Sequence, residues 1–242
     1  LSRFETELGR FWAGVFPAAP APAIETHPIA ATDWLKQYRE SVSPVVVDRT
    51  ILVRPTWARP SDIEMAEIET EIIINPNLAF GTGSHESTQL CLKALKNSIA
   101  PGMRIADVGC GSGILSIYAA KAGGAFVTAI DIDSLAVENC LENIELNATP
   151  GAIEALNGSV ELLRSDQSYD IVVTNMILSS MLPILEDMIE ATVREGKLIL
   201  SGLLVGDRDE IERALRSLGV SRWEVMRDGQ WVCYMTNNPG GR

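Results

Sequence analysis

Two carboxylates, three glycines and two amides carry the first chemical suggestion in this chain. The run Asp107-Val108-Gly109-Cys110-Gly111-Ser112-Gly113 places glycine at every second position. Where a backbone must turn sharply and let a ligand come close, side chains obstruct it, so such a run between a strand and a helix suits a cofactor seat. A dinucleotide fingerprint would place glycine at position 114, but Ile114 stands there, which argues against a nicotinamide dinucleotide. Taken alone, the run is equally a tight strand-to-helix connection.

About twenty residues on, Ala129-Ile130-Asp131-Ile132-Asp133 closes the next apolar run, where a carboxylate can accept both hydroxyl hydrogens of a ribose. Spacing favours Asp131 for the ligand, while Asp133 suits the cap of a helix starting near Ser134. Asn157-Gly158-Ser159 follows the next strand-like segment and reads either as an edge for an adenine ring or simply as a turn. Tyr169-Asp170-Ile171-Val172-Val173-Thr174-Asn175 reads as a buried strand ending in an amide, at the sheet edge where open α/β folds bind ligands. Upstream, Phe80, Gly81, Gly83, Ser84 and Thr88 combine a glycine-hinged loop, an apolar lid and a helix start, and a helix N-terminus favours an anionic group. The plainer alternatives are that Phe80 anchors the core and Thr88 is an ordinary helix residue. His85 reads as a helix-start residue rather than a general base.

These residues need a scaffold that brings distant segments to one edge. Beyond Pro101, strand-like and helix-like stretches alternate, the pattern of a parallel sheet covered on both faces. Strands are expected at 104–108, 126–130, 152–156, 171–174 and 197–201, with helices at 112–122, 135–146, 178–191 and 207–218. Apolar runs at 223–226 and 231–236 flank Arg227-Asp228-Gly229-Gln230, which reads as a hairpin turn. A doubly wound α/β sheet closed by an antiparallel hairpin results. Ahead of it, a short helix is expected at 32–40, strands at 45–47, 50–53 and 68–74, and a helix at 84–97. The proline-rich run from Phe16 to Pro22 reads as a linker or arm.

At 242 residues the chain can bury one full core with a small appendage. No stretch approaches the length of apolar residues that spans a bilayer, and Glu5 and Glu7 stand where a signal peptide would be apolar, so a cytoplasmic protein is expected. The four cysteines are scattered, which suggests reduced thiols and no metal site. The net charge of −12 repels phosphate backbones and attracts cationic partners. Neither a membrane nor a direct nucleic-acid partner is expected, and the protein is expected to be a monomer.

Together the stretches NPNLAFGTGSHESTQLCL, DVGCGSGILSI, AIDIDSLAVENCLENIELN, YDIVVTN and GKLILSGLL resemble the ribosomal protein L11 methyltransferase family, from about Asp33 to the end. The resemblance implies a class I, Rossmann-like methyltransferase fold and S-adenosylmethionine as cofactor, with S-adenosylhomocysteine as product. It implies cofactor contacts at Phe80, Gly81, Thr88, Gly109, Asp131 and Asn175, joined by the neighbouring Gly111, Ile132 and Gly158, with Asn175 also as the catalytic residue. The implied activity is N-methylation of lysine or other amino groups of ribosomal protein L11. A methyltransferase for another protein or a small amine, and a cofactor-binding protein without turnover, stay open as alternatives. Three regions are expected: 1–32, an arm or reduced substrate lobe; 33–74, a linker and accessory strands; and 75–242, the cofactor-binding domain. The sequence Met176-Ile177-Leu178-Ser179 differs from the family's usual Ile-Leu-Ala after the asparagine, and Glu86 replaces its usual proline.

Overall fold

The computed structural model describes residues 2–17, 20, 42–58, 67–75, 83–123, 126–149, 151–164 and 168–240. The chain divides into two units, Leu1–Ser41 and Val42–Arg242. In the first, α1 (Ser2–Val15) is a helix within what the sequence suggested was an arm. Leu8, Phe11, Trp12 and Val15 recur at helical spacing, the signal that marks it. The helix expected at 32–40 and most of the proline-rich run lie outside the described residues.

The second unit opens with β1 (Val45–Val47), β2 (Ile51–Pro55) and β3 (Thr70–Ile74). β1 pairs antiparallel with β2, and β2 pairs parallel with β3. Their inward residues Val47, Ile51, Val53, Ile72 and Ile74 share one buried cluster with Leu92 and Leu95 of α2 (Glu86–Lys96). The accessory strands are thus part of the same core as the residues that follow them.

The main sheet contains β4 (Arg104–Val108), β5 (Phe126–Asp131), β6 (Ile153–Asn157), β7 (Tyr169–Asn175), β8 (Thr192–Leu204), β9 (Trp223–Asp228) and β10 (Trp231–Asn237). Among the described residues its order is β6-β5-β4-β7-β8-β10-β9. The strands from β6 to β8 run parallel, and β10 is antiparallel to both β8 and β9. Strands of such a sheet are covered on both faces, which explains the nearly unbroken apolar runs Ile105-Ala106 and Ile171-Val172-Val173, all fully buried. The covering helices are α3 (Ile114–Lys121), α4 (Ser134–Leu146), α5 (Leu178–Met181), α6 (Leu185–Ala191) and α7 (Arg208–Ser217), besides α2.

Two elements differ from expectation for identifiable reasons. The helix expected over 178–191 is broken into α5, a 3-10 turn at Leu182–Ile184, and α6. Pro183 lacks the N–H that a continuous helix requires, and its ring would clash with the preceding turn. The hairpin is tighter than expected: Trp231 pairs with Asp228, leaving only Gly229 and Gln230 to turn. Gly229 has φ +53°, which the first residue of a two-residue type II′ turn requires.

Sheet order places the site. The chain runs outward from β4 to β5 and β6, then returns to β7 on the other side of β4, so a crevice opens between β4 and β7 at their carboxyl ends. Register makes those ends level: Val108 pairs with both Ile130 and Thr174, and Asp131 pairs with Asn157.

Candidate functional site

A cavity of about 600 Å³ occupies this crevice. Its floor is the turn after β4. Gly109 N donates to Ile130 O at 2.8 Å and Cys110 N donates to the same oxygen at 3.1 Å, pinning the turn to β5. Gly109 has φ +73°, and a Cβ there would stand 3.0 Å from Met176 Sδ, so glycine keeps both the conformation and the open space.

Behind the turn lies the buried Asp107, whose Oδ2 accepts from Ser116 N at 3.0 Å and from Ser116 Oγ at 2.6 Å. Its Oδ1 has no partner. Burial raises its pKa from 3.8 to about 6, against the lowering effect of the two Ser116 bonds.

Asp131 lines the cavity from the end of β5. Its Oδ2 accepts from Gly111 N at 3.0 Å and its Oδ1 from Asp133 N at 3.0 Å, so the carboxylate is already oriented by two loop amides. Asp133 instead caps α4, accepting from Leu135 N at 2.9 Å. The two acids therefore divide as the sequence suggested, one at the cavity and one at the helix. Gly158 N donates to Asp131 O at 2.9 Å and also brings its loop to the cavity wall.

Asn175 stands at the end of β7. Its Nδ2 donates to the hydroxyl of buried Thr88 at 3.0 Å. Its Oδ1 is buried without a partner. Thr88 is held in turn because Ser201 Oγ of β8 donates to the carbonyl of adjacent Ser87 at 3.0 Å. His85 is the N-cap of α2, with Nδ1 2.8 Å from Ser87 Oγ, and its ring meets Trp231 edge-on at 4.4 Å between centroids.

Of the residues singled out from sequence, Thr88, Gly109, Gly111, Asp131, Ile132, Gly158 and Asn175 all line this one cavity. Phe80 and Gly81 lie outside the described residues. Gly202 and Trp231, which sequence reading did not assign to the site, line it too, as do Met176 and Ile177 from the segment that departs from the family pattern. Gly202 carried a usable signal, since a lone glycine inside a strand marks close backbone approach. Here φ is +83°, and a Cβ would stand 2.5 Å from Met176 O and 2.7 Å from Met176 N.

Ile177, Gly202 and Trp231 are shared with a second concavity of about 340 Å³. Leu182 and Leu204 add apolar walls there, and Asp207 and Glu210 add acidic groups. The two concavities thus share a boundary, the first lined by the glycine turn and Asp131, the second by apolar walls with two acids. All four cysteines are buried and free, and Cys110 has its pKa raised by its neighbour Cys140 and by burial, which disfavours a thiolate nucleophile. Among the described residues, no group of three or more His, Cys, Asp or Glu side chains is placed to hold a metal, and no helix is long and apolar enough to cross a membrane.

A model of the family described as ribosomal protein L11 methyltransferase (PrmA) matches residues 13–239. A ribosomal protein L11 methyltransferase of Nitratiruptor sp. is 38% identical over 210 residues, covering 86% of this chain and 70% of that protein. One from Exiguobacterium sp. is 36% identical over 203 residues, covering 83% of this chain and 63% of that protein. The chain therefore spans only about two thirds of these relatives. The crystal structure of a ribosomal protein L11 methylase from Lactobacillus delbrueckii subsp. bulgaricus superposes with a TM-score of 0.73 at 28% identity, over 81% of this chain and 98% of that one.

Proposed function

Because the chain belongs to the ribosomal protein L11 methyltransferase family, whose members are S-adenosylmethionine-dependent enzymes, we propose that it methylates lysine or other amino groups of ribosomal protein L11. The cavity suits a methylsulfonium nucleoside. Asp131 offers a carboxylate to a ribose, Gly109 and Gly111 leave room for close backbone contact, and Ile132 and Gly158 border the nucleoside end. The cofactor, when bound, supplies an electrophilic methyl group together with its own leaving group.

The remaining tasks are alignment and desolvation, and both fall to residues of this chain. Asn175 carries the reading: Thr88 fixes its amide nitrogen, leaving a buried carbonyl oxygen in need of a donor. An amine N–H from the acceptor satisfies that oxygen and turns the nitrogen lone pair inward. Ile177 and Trp231 shield the meeting point from water. A lysine ammonium gives its proton to solvent before entry, so no dedicated base is required. The chain's net charge of −12 favours approach of a cationic protein, and we extend the reading to a cytoplasmic, monomeric enzyme without direct nucleic-acid contact.

Two measurements test this proposal. Mass spectrometry of purified L11 after incubation with protein and cofactor should show added methyl groups, and an unmodified substrate would sink the assignment. By calorimetry, Asp131→Ala should weaken S-adenosylmethionine binding by about a hundredfold, since it removes two charge-assisted bonds. Unchanged affinity would remove the ribose role.

A further inference from the structure

α4 carries asparagines at 139 and 143, and Asn147 caps its C-terminus, so the three lie one turn apart on a single face. All three are buried. A buried amide is costly unless bonded, and these bond to backbone far away in sequence. Asn147 accepts from Ile73 N at 2.9 Å and donates to Ile73 O at 2.6 Å. Asn139 donates to Asn75 O at 3.1 Å. Both dock the end of β3 on α4.

Asn143 does more. Its Oδ1 accepts from Asn75 N at 2.7 Å, while its Nδ2 donates to Ser112 O at 2.9 Å. Ser112 lies inside the glycine turn, between Gly111 and Gly113, both in the left-handed region at φ +53° and +78°. Glycine-rich backbone loses much freedom on ordering, so a carbonyl held from behind lowers the cost of presenting the turn to a ligand.

We propose that Asn143 is a positioning residue for the nucleoside cofactor. It fixes the Ser112 carbonyl, and so the turn Gly109–Gly113, and couples that turn to Asn75 at the exit of β3. The inference rests on the cofactor reading above, but one arm of its test does not. The Asn147 rung provides the control, because Asn147→Ala removes the two bonds from α4 to Ile73 of β3 while leaving the bond to Ser112 intact.

In cofactor-free protein, hydrogen exchange at the Gly113 amide, which donates to Cys110 O at 2.8 Å, should speed up in Asn143→Ala and stay at the wild-type rate in Asn147→Ala. Both variants should melt below wild type. For S-adenosylmethionine, Asn143→Ala should raise Kd about tenfold, the effect of a lost buried hydrogen bond, with kcat at saturation retained. Asn147→Ala should leave Kd unchanged. Equal loosening of Gly113 in both variants, or an unchanged Kd in Asn143→Ala, would show that the ladder only holds β3 to α4. Should Asn143→Ala not fold, the wild type still decides. Cofactor binding should slow exchange at the Asn75 amide through the shared side chain, and no slowing would overturn the coupling. If wild type binds no S-adenosylmethionine at all, the cofactor reading falls, and the cofactor-free Gly113 comparison alone decides the role of Asn143.

Discussion

The two sides of the crevice are built from different materials. On the proposed cofactor side, the groups that set the edge are glycines, backbone amides and short polar side chains already bonded to one another, Gly109 to Ile130, Gly111 to Asp131 and Gly158 to Asp131, with apolar side chains such as Ile132 beside them. On the proposed acceptor side Ile177, Leu182 and Leu204 form apolar walls, with Ile177 60% and Leu204 42% exposed, and Asp207 and Glu210 stand beside them. A small polar ligand of fixed shape rewards an edge set in advance, because little ordering remains to be done on binding. A protein partner supplies apolar surface of its own, and exposed apolar walls gain by being covered only when it arrives. Asn175 stands at the proposed join, its nitrogen bonded to Thr88 and its buried oxygen without a partner.

The largest effect expected of this division is at that join. Asn175→Ala should lower kcat by about a thousandfold, as for other preorganised groups acting on a reacting atom, while cofactor affinity changes far less. If affinity collapses and kcat survives, Asn175 belongs to the cofactor side and the boundary has been drawn in the wrong place. Gly202→Ala comes next. The new Cβ meets Met176 backbone at 2.5 Å in a left-handed conformation, which should cost about 3 kcal/mol of stability in urea unfolding. A wild-type unfolding midpoint would show that β8 and the segment after Asn175 are not locked together.

A smaller effect separates the sides by pH. Asp107 has a folded-state pKa of about 6 against 3.8, so the folded protein holds its proton more tightly than the unfolded chain. The stability from this group is complete below about pH 3.8 and is lost as pH rises through about 6. Its contribution falls by no more than about 1.4 kcal/mol per pH unit in that window. Denaturant curves for Asp107→Asn against wild type should diverge over that range alone. Parallel curves would mean that burial does not hold the proton.

The same contrast explains what could be read from the sequence. The gathering of Gly109, Asp131 and Asn175 at one cavity was legible because alternating glycines, an acid at a strand end and an amide at another can each be recognised, and register then makes them level. The parallel core was legible because strands buried on both faces must be apolar throughout. The second concavity was less so: the departure at Met176–Ser179 pointed toward it, but Leu182, Leu204 and Trp231 are residues that any strand or helix can contain, and only the fold brings them together. Helix α1 is masked in the sequence by the prolines that follow it, which make the arm resemble a linker. The break at Pro183 follows from the missing N–H alone, which the apolar periodicity of 178–191 conceals.

Trp231→Ala gives the gentlest test, and the one that bears most directly on the unreadable side. Trp231 packs against the His85 ring and borders both concavities. If it serves chiefly as a wall for the acceptor, its loss should raise KM for L11 by about tenfold, the scale of one partly buried aromatic contact. The KM for S-adenosylmethionine should then stay at its wild-type value. A rise in the cofactor KM of equal size would instead mean that Trp231 acts through His85 on the first turn of α2 and on Thr88. In that case the two sides share their supports, and the contrast between a preset edge and a waiting one is a difference in composition rather than in role.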